Sequence, residues 1–217
     1  DYFHNRVAVR KNKLFIGQKE GEDRYANNRK AVPGQGMLEF FHNSGAYRKV
    51  RTEKIDFLTL KHFDMSRTRV TDDKLGYQHD RIINWVKDLN LFVVFDVLKF
   101  TVEDYYTAAN LWHTRKILAQ GERWYDTVYD SLGPTSLPTN KSLLIYFPEK
   151  GQRMEGVEPQ KRYYQNEWTI YQMDSRHCDV GDMATFTTIL IPHETGADIQ
   201  KLLASVKMVD VSHPTKT

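Results

Sequence analysis

The 217 residues are enough for one large domain or two small ones, and an all-β sandwich of this length can form a single unit. Hydrophobic residues make up 40% and charged residues 27% of the chain, a globular composition that excludes disorder as the main state. The formal charge of +3 leaves basic and acidic residues nearly balanced, so a nucleic-acid partner is not indicated.

Cysteine content and hydropathy limit the disulfides and membrane spans that the chain can form. Cys178 is the only cysteine, so no intrachain disulfide can form. The sequence has no run of about 18 apolar residues and therefore predicts no membrane span. It begins at Asp1 without an initiator methionine or a signal-like segment, so we expect a mature product or an excised fragment.

The N-terminal third predicts few regular elements. Alternating apolar and charged residues predict two short strands and a tight turn over residues 2–10 and 14–16. Residues 17–36 are rich in Asn, Gly, Glu and Lys and predict a long exposed loop, of a kind that often carries function. Residues 47–72 have an irregular pattern that predicts no defined element.

The clearest predicted element is a hairpin in the middle of the chain. Residues 82–86 precede a polar break at 87–90, and the β-branched and aromatic residues 91–98 follow it. The second run is apolar at nearly every position. It therefore predicts an inner strand with both faces covered by protein.

The remaining segments continue the strand pattern. Residues 104–113 fit a helix or a strand, with a strand favoured for the second half. Further predicted strand segments are 124–129, 143–147, 163–164, 168–171 and 183–191, the last ended by Pro192. A helical spacing from about Ala197 competes with a strand near residues 206–211. These elements predict an all-β, antiparallel β-sandwich as one domain over residues 1–217, with one short helix near the C-terminus.

Five short motifs follow one another in an order that resembles a known family. They are SRTR at 66–69, YQHDR at 77–81, FVVFD at 92–96, LWHT at 111–114 and TILIPH at 188–193. Together they resemble the C-terminal sheet domain of the heparinase II/III-like polysaccharide lyases, over most of the chain. The resemblance implies an enzyme of two parts, an N-terminal α/α toroid of helices and a stack of antiparallel sheets, with the substrate between them.

The resemblance also implies a reaction. Members of the family cleave uronic-acid-containing polysaccharides by β-elimination, with a Tyr as acid and base and a His or Asn neutralising the uronate carboxylate. It implies an acidic polysaccharide, sulfated or not, as partner and an extracellular or periplasmic location. Many members hold a divalent metal through His and Asp ligands, and we expect zinc or calcium.

This chain departs from the family pattern in two respects. It contains no helical toroid and no His-x-His motif, so we expect the sheet part of a larger enzyme that is inactive by itself. His4, in the sequence Phe3-His4-Asn5, resembles a family His-Asn and is predicted to be catalytic. The alternative is a carbohydrate-binding or docking module without catalytic activity.

The catalytic candidates within the chain follow from the chemistry of β-elimination. A donor must stabilise charge on the carboxylate while a base removes the C5 proton and an acid protonates the leaving oxygen. His79 and Arg81, at the start of a predicted strand, supply such groups. The alternative is a structural role, in which Arg81 pairs with Asp80 or Asp96 and His79 bonds to the backbone.

A metal site is a separate hypothesis for the same region. Zinc is bound in proteins by imidazole and carboxylate groups. The candidate ligands are His79, Asp96 and His113. Their spacing forms no compact metal motif, and Asp96 could instead cap the end of its strand.

Substrate contacts are predicted at aromatic and basic side chains. Trp112 and Trp124 are predicted to stack on sugar rings, with core packing as the alternative. Arg24, Tyr25 and Arg29 lie in the predicted long loop, where arginine can bind a carboxylate or sulfate with two hydrogen bonds.

Overall fold

The computed structural model describes residues 5–15, 36–41, 50–128, 140–149, 153–162 and 165–207. Within these residues the chain forms twelve strands and two short α-helices. The elements are β1 Arg6–Lys11, α1 Met37–Phe41, β2 Arg51–Thr59, β3 Phe63–Asp72, β4 Tyr77–Val86, β5 Leu91–Phe100, β6 Asp104–Thr114, β7 Lys116–Gly121, β8 Trp124–Val128, β9 Lys141–Tyr146, β10 Met154–Arg162, β11 Gln165–Cys178, β12 Met183–Glu194 and α2 Ile199–Ala204. No helix among these residues is long and apolar enough to cross a membrane.

The strands form two sheets of unequal size. The larger sheet has eight strands in the order β2-β3-β4-β5-β12-β9-β8-β7, and the smaller sheet has four in the order β1-β6-β11-β10. Every strand pairing is antiparallel. The predicted all-β antiparallel sandwich is confirmed.

The core lies between the inner faces of the two sheets, that is, the faces that each turns toward the other. At one end, Val7 and Tyr106 of the smaller sheet pack against Leu98 and Phe186 of the larger sheet. At the other end, Trp112 and Ile170 pack in the same way against β5, β8 and β9. Burial of apolar area between the sheets is the main force that holds them together.

Each outer face carries one of the two helices. Helix α1 places Met37, Phe40 and Phe41 on the outer face of the smaller sheet, and the Glu158 carboxylate accepts hydrogen bonds from the backbone N–H groups of Met37 and Leu38. Helix α2 covers part of the outer face of the larger sheet with apolar side chains. It confirms the predicted C-terminal helix. The alternative prediction was a strand near residues 206–211.

The predicted central hairpin is present as β4 and β5. Lys87–Leu89 form a single 3-10 turn, and Asn90, with φ of 47°, adopts the left-handed conformation that reverses the chain. The prediction that both faces of β5 are covered is wrong. Val94 is only 2% exposed, whereas Phe92, Val93 and Phe95 are half-buried, because the larger sheet extends beyond the smaller one and beyond α2.

Several other predictions need correction. Residues 51–59 and 63–72 form the strands β2 and β3 rather than an irregular segment. Residues 104–114 are a strand over their whole length, and residues 14–15 are not a strand. Pro192 does not end β12, because β12 pairs with β5 only up to Leu190 and beyond that point has a neighbour on one side only.

Candidate functional site

The buried carboxylate of Asp96 is the centre of the candidate site. Asp96 on β5 is 0% exposed and faces the smaller sheet. Its Oδ1 accepts from His79 Nε2 and from Arg81 Nε, each at 2.7 Å, and its Oδ2 accepts from Arg81 at 3.0 Å. Asn110 of β6 donates to Oδ2 from the opposite sheet. This Asp96 network therefore joins three strands across the sandwich.

Register explains why these side chains meet. Arg81 lies directly opposite Asp96 in the β4–β5 pair, and His79 lies two positions along the same face. Burial alone raises the pKa of Asp96, but hydrogen bonds from His79 and Arg81 outweigh it, and the pKa lies below its ordinary value. Asp96 is thus an ionised carboxylate held by charged and polar donors.

The donors of Arg81 are largely engaged within the protein. In addition to its bonds to Asp96, Arg81 donates to the backbone oxygen of Asn5 at 2.6 Å. Its guanidinium lies 5.6 Å from the ring centroid of Trp112. The structure therefore pairs Arg81 with Asp96, as in the structural alternative, while His79 bonds to Asp96 and not to the backbone.

Trp112 connects the Asp96 network to a cavity. Its indole N–H donates to Asn110 Oδ1 and lies 3.2 Å from Thr188 Oγ1, so the ring is fixed in the core. The ring lines a cavity of about 350 Å³ at one end of the sandwich. The other residues around this cavity include apolar Leu143, Ile145, Leu190 and Pro192 and polar Asn5, His113, Thr127 and Lys141.

His113 and Trp124 lie apart from the Asp96 network. His113 is on the outer face of the smaller sheet, where its Nδ1 lies 3.1 Å from Thr169 Oγ1. Trp124 packs with Tyr146 and α2 on the outer face of the larger sheet. Trp112 and Trp124 therefore cannot contact one sugar ring together. The predicted site residues His4, Arg24, Tyr25 and Arg29 lie outside the described residues.

The donor set does not fit a metal at His79, Asp96 and His113. Both Asp96 oxygens already accept hydrogen bonds, and the Arg81 guanidinium stands beside them as a permanent cation. His113 belongs to another face of the sandwich. A second cation at Asp96 would meet the charge of Arg81, so we assign no metal to these three residues.

A second carboxylate, Asp80, forms a separate cluster on the outer face of the larger sheet. Arg69 Nε donates to Asp80 Oδ1 at 2.6 Å, and Arg67 Nε donates to Oδ2 at 2.9 Å. The hydrogen bond from Arg69 is the main reason that the pKa of Asp80 falls to about 2. These two arginines are therefore largely committed to Asp80.

Sequence reasoning missed an exposed apolar surface beside the Asp96 network. We call it the ledge; it is the inner face of β2–β4 where the larger sheet extends past β1, the edge of the smaller sheet. Phe57 is 58% and Trp85 37% exposed there; Ile83 is next to Trp85 on the same face of β4, and Ser66 of β3 separates Ile83 from Phe57. Lys54 Nζ is 5.4 Å from the Phe57 ring centroid, and Lys87 Nζ is 5.7 Å from that of Trp85. Alternation of Ile83 and Trp85 along β4 was the available signal.

A buried His–Asp pair was also missed. His193 closes the TILIPH motif, and its Nε2 lies 3.1 Å from Asp126 Oδ1 without the alignment of a hydrogen bond. Burial raises the pKa of Asp126, and the nearby His193 opposes this rise. The pair faces outward from the larger sheet, away from the ledge.

Comparison with known proteins identifies solved structures that share this fold. No family model and no curated protein sequence matches the chain. Solved structures match it with TM-scores above 0.5. The chain shares its fold with heparinase III structures. This confirms the predicted resemblance to the sheet domain of such lyases.

The matches differ in extent. The heparan sulfate lyase HepC from Pedobacter heparinus matches with a TM-score of 0.53 and 11% identity, and a heparinase III gene product with 0.52 and 13%; each covers 68% of this chain. A form of that gene product with methylated lysines covers 91% of this chain, at a TM-score of 0.52 and 11% identity. This chain spans only 22%, 22% and 36% of those three chains. At such identities the likeness establishes the fold alone.

Proposed function

We propose that this chain is the sheet domain of a polysaccharide lyase that cleaves a uronic-acid-containing polysaccharide by β-elimination. It would supply one wall of the substrate groove, and an α/α toroid domain would supply the other wall and the catalytic Tyr. The single observation that carries the proposal is the ledge, because it joins exposed aromatic rings to ammonium groups beside the Asp96 network. The shared fold with heparan sulfate lyases supports it.

The chemistry of the ledge suits an acidic sugar chain. The flat apolar face of a pyranose matches an exposed aromatic ring, such as that of Trp85 or Phe57. Uronate and sulfate groups would pair with the ammonium groups of the two lysines that stand near these rings. Lys54 is the freer of the two, because Lys87 also forms an ion pair with Asp64 at 2.7 Å.

Within this proposal the Asp96 network acts by positioning. Arg81 and His79 lie on the same face of β4 as Ile83 and Trp85, so the network fixes the strand that carries the ledge. Their donors are held by Asp96, and we therefore assign them no proton transfer. Trp112, which lines the cavity, is the proposed contact at the far end of the groove, and His4, which lies outside the described residues, stays a proposed catalytic residue.

The first test measures binding by the chain alone. Calorimetric titration with size-defined heparan sulfate oligosaccharides should give a salt-dependent affinity, and a neutral glucan should give none. The variants W85A and F57A should each weaken binding by about tenfold, which corresponds to about 1.4 kcal/mol. W168A is the matched control, because Trp168 is 38% exposed but lies on the smaller sheet. Unchanged affinity in W85A would contradict the assignment of the ledge.

The second test concerns the reaction. A polypeptide that joins this chain to a toroid should release unsaturated uronate, which is followed by its ultraviolet absorbance, and this chain alone should not. Complete inactivity of that polypeptide on every uronic polysaccharide would refute the lyase assignment. We also propose an extracellular or periplasmic location, where such polysaccharides occur. Fractionation of the source cells tests it.

A docking module is the second candidate, and exposed apolar side chains at this end of the larger sheet favour it. Beyond the ledge itself, Leu58 and Phe63 are exposed on the outer face of β2 and β3, and Leu60 and Leu89 are exposed in the turns beside these strands. Exposed apolar side chains grouped in one region often mark a protein interface. If the chain binds no glycan but the W85A variant loses association with the toroid, the ledge is an interface between domains.

A further inference from the structure

A second group of metal-ligating side chains lies at the end of the β6–β11 pair, far along both strands from the cavity. Glu103 immediately precedes β6, His177 is the penultimate residue of β11, and Asp179 follows that strand. Antiparallel register places His177 opposite Tyr105 and so brings the three side chains to one strand end. All three are exposed to solvent.

The distances between the ligand atoms are close to those in a metal site. His177 Nε2 lies 3.4 Å from Glu103 Oε1, and His177 Nδ1 lies 3.8 Å from Asp179 Oδ1. One ligand atom from each residue lies within 4.8 Å of the others. Ligands bonded at 2.0–2.2 Å in a tetrahedral zinc site are roughly 3.3–3.5 Å apart. Glu103 Oε1 and His177 Nε2 already meet this spacing. Asp179 is nearest to the other ring nitrogen, Nδ1, so the proposed site requires its exposed side chain to turn toward Nε2.

The two carboxylates lack a compensating cation. Among the described residues, neither Glu103 nor Asp179 forms an ion pair with a lysine or an arginine. The nearby Arg176 is paired instead with Asp174 at 3.0 Å and with Asp182 at 3.2 Å. The cluster therefore presents two negative charges and one imidazole that no basic side chain in this part of the chain neutralises.

We propose that Glu103, His177 and Asp179 bind one divalent transition-metal ion of the zinc class. A nitrogen and two carboxylate ligands suit zinc better than calcium, which prefers a shell made entirely of oxygen. The Tyr105 ring meets the imidazole edge-on, with centroids 4.9 Å apart, and restricts its orientation. Water completes the coordination. This site is independent of the proposed lyase function.

The bound ion would cross-link two strands of the smaller sheet. It would tie the beginning of β6 to the end of β11, two strands joined across a long separation in sequence. Because the ion binds the folded chain at ligands that the unfolded chain does not bring together, it should raise the melting temperature, and the rise should grow with the logarithm of the zinc concentration above Kd. This effect gives a readout that needs no substrate.

Calorimetric titration of the chain with zinc chloride, after treatment with a chelator, tests the proposal. We expect one ion per chain and a rise in Tm with zinc. H177A should lower the affinity by about tenfold or more, since even the indirect partners of metal ligands contribute that much. The double variant E103Q/D179N should do the same while it keeps the size and the fold of the site.

Two control variants exclude other sources of binding. H62A removes an exposed histidine that contacts one carboxylate, Asp88, and should leave zinc binding unchanged. C178S removes the buried thiol next to His177 and should also leave it unchanged. If E103Q/D179N and H177A bind zinc as well as the parent chain, or if the parent chain shows neither heat nor a shift in Tm, the proposal is overturned. In that event the carboxylates serve only as ion-pair partners of His177.

Discussion

Removal of the Asp96 charge is the sharpest test of the network that joins the two sheets. Replacement by asparagine keeps the size of the side chain but leaves the Arg81 guanidinium, which is 17% exposed, without its carboxylate partner. It also places an amide N–H₂ where one of the donors His79, Arg81 or Asn110 now points. We therefore expect Asp96→Asn to destabilise the whole sandwich and not only one strand.

The expected size of this effect follows from burial. Breaking a buried ion pair by removing one partner costs about 3–5 kcal/mol. Asp80→Asn is the matched control, since Asp80 also pairs with arginines but Arg67 is 37% exposed and water can solvate it; we expect about 1 kcal/mol there. In urea unfolding followed by circular dichroism, with a slope of about 2 kcal/mol/M, Asp96→Asn should lower the midpoint by about 2 M.

A double variant separates lost charge from lost packing. Asp96→Asn combined with Arg81→Met removes both charges and should recover a substantial part of the lost stability, because no uncompensated cation remains in the core. Equal losses for Asp96→Asn and Asp80→Asn would refute the assignment of Asp96 as the buried centre. The same conclusion would follow if the double variant were as unstable as the sum of the two single variants.

Three further predictions concern other parts of the fold. Glu158→Ala removes both side-chain hydrogen bonds to the start of α1 and should cost about 1–3 kcal/mol, with faster hydrogen exchange at the Phe40 amide; unchanged exchange would show that packing alone holds α1. The pKa of Asp80 is about 2, below the ordinary 3.8, so the contribution of its carboxylate to folding stability is present above about pH 4 and is lost as the pH falls toward 2. Over this pH range, the unfolding midpoint of the parent chain should therefore drop more steeply than that of Asp80→Asn. Burial raises the pKa of Cys178 to about 11, so iodoacetamide at pH 8 should label the native chain far more slowly than the urea-unfolded chain, and equal rates would contradict its burial.

The fold was predictable where sequence pattern and burial agree. The β4–β5 hairpin has a polar break between apolar runs, and β9 and β12 are buried strands with apolar sequences. Strands β2 and β3 gave no such signal, because β2 is the edge strand of the larger sheet, β3 is next to it, and both faces of each carry charged residues. An edge strand needs little apolar pattern, since it has little core to cover.

The site was only partly predictable, and for a geometric reason. His79, Arg81 and Asp96 were recognised as a group because a hairpin brings them to facing positions. His113 was grouped with them by residue type, but the side-chain alternation along β6 turns it to the opposite face from Asn110. Trp85 and Lys54 could not be ranked from sequence, since their exposure depends on where the smaller sheet ends.

The two sheets also differ in the sequence separation between the strands that pair in them. Strands β2 to β5 pair with their neighbours in sequence, whereas the smaller sheet pairs Arg6 with Leu111 and Thr114 with Trp168. Pairings between distant segments form slowly, because loop-closure entropy opposes them before any contact is gained. During folding, the meander of four strands, β2 to β5, should gain hydrogen-exchange protection first and β1 last. The inner face of this meander would then be exposed to solvent until the smaller sheet forms and covers it. In the native fold, the ledge is the part of that face that remains exposed.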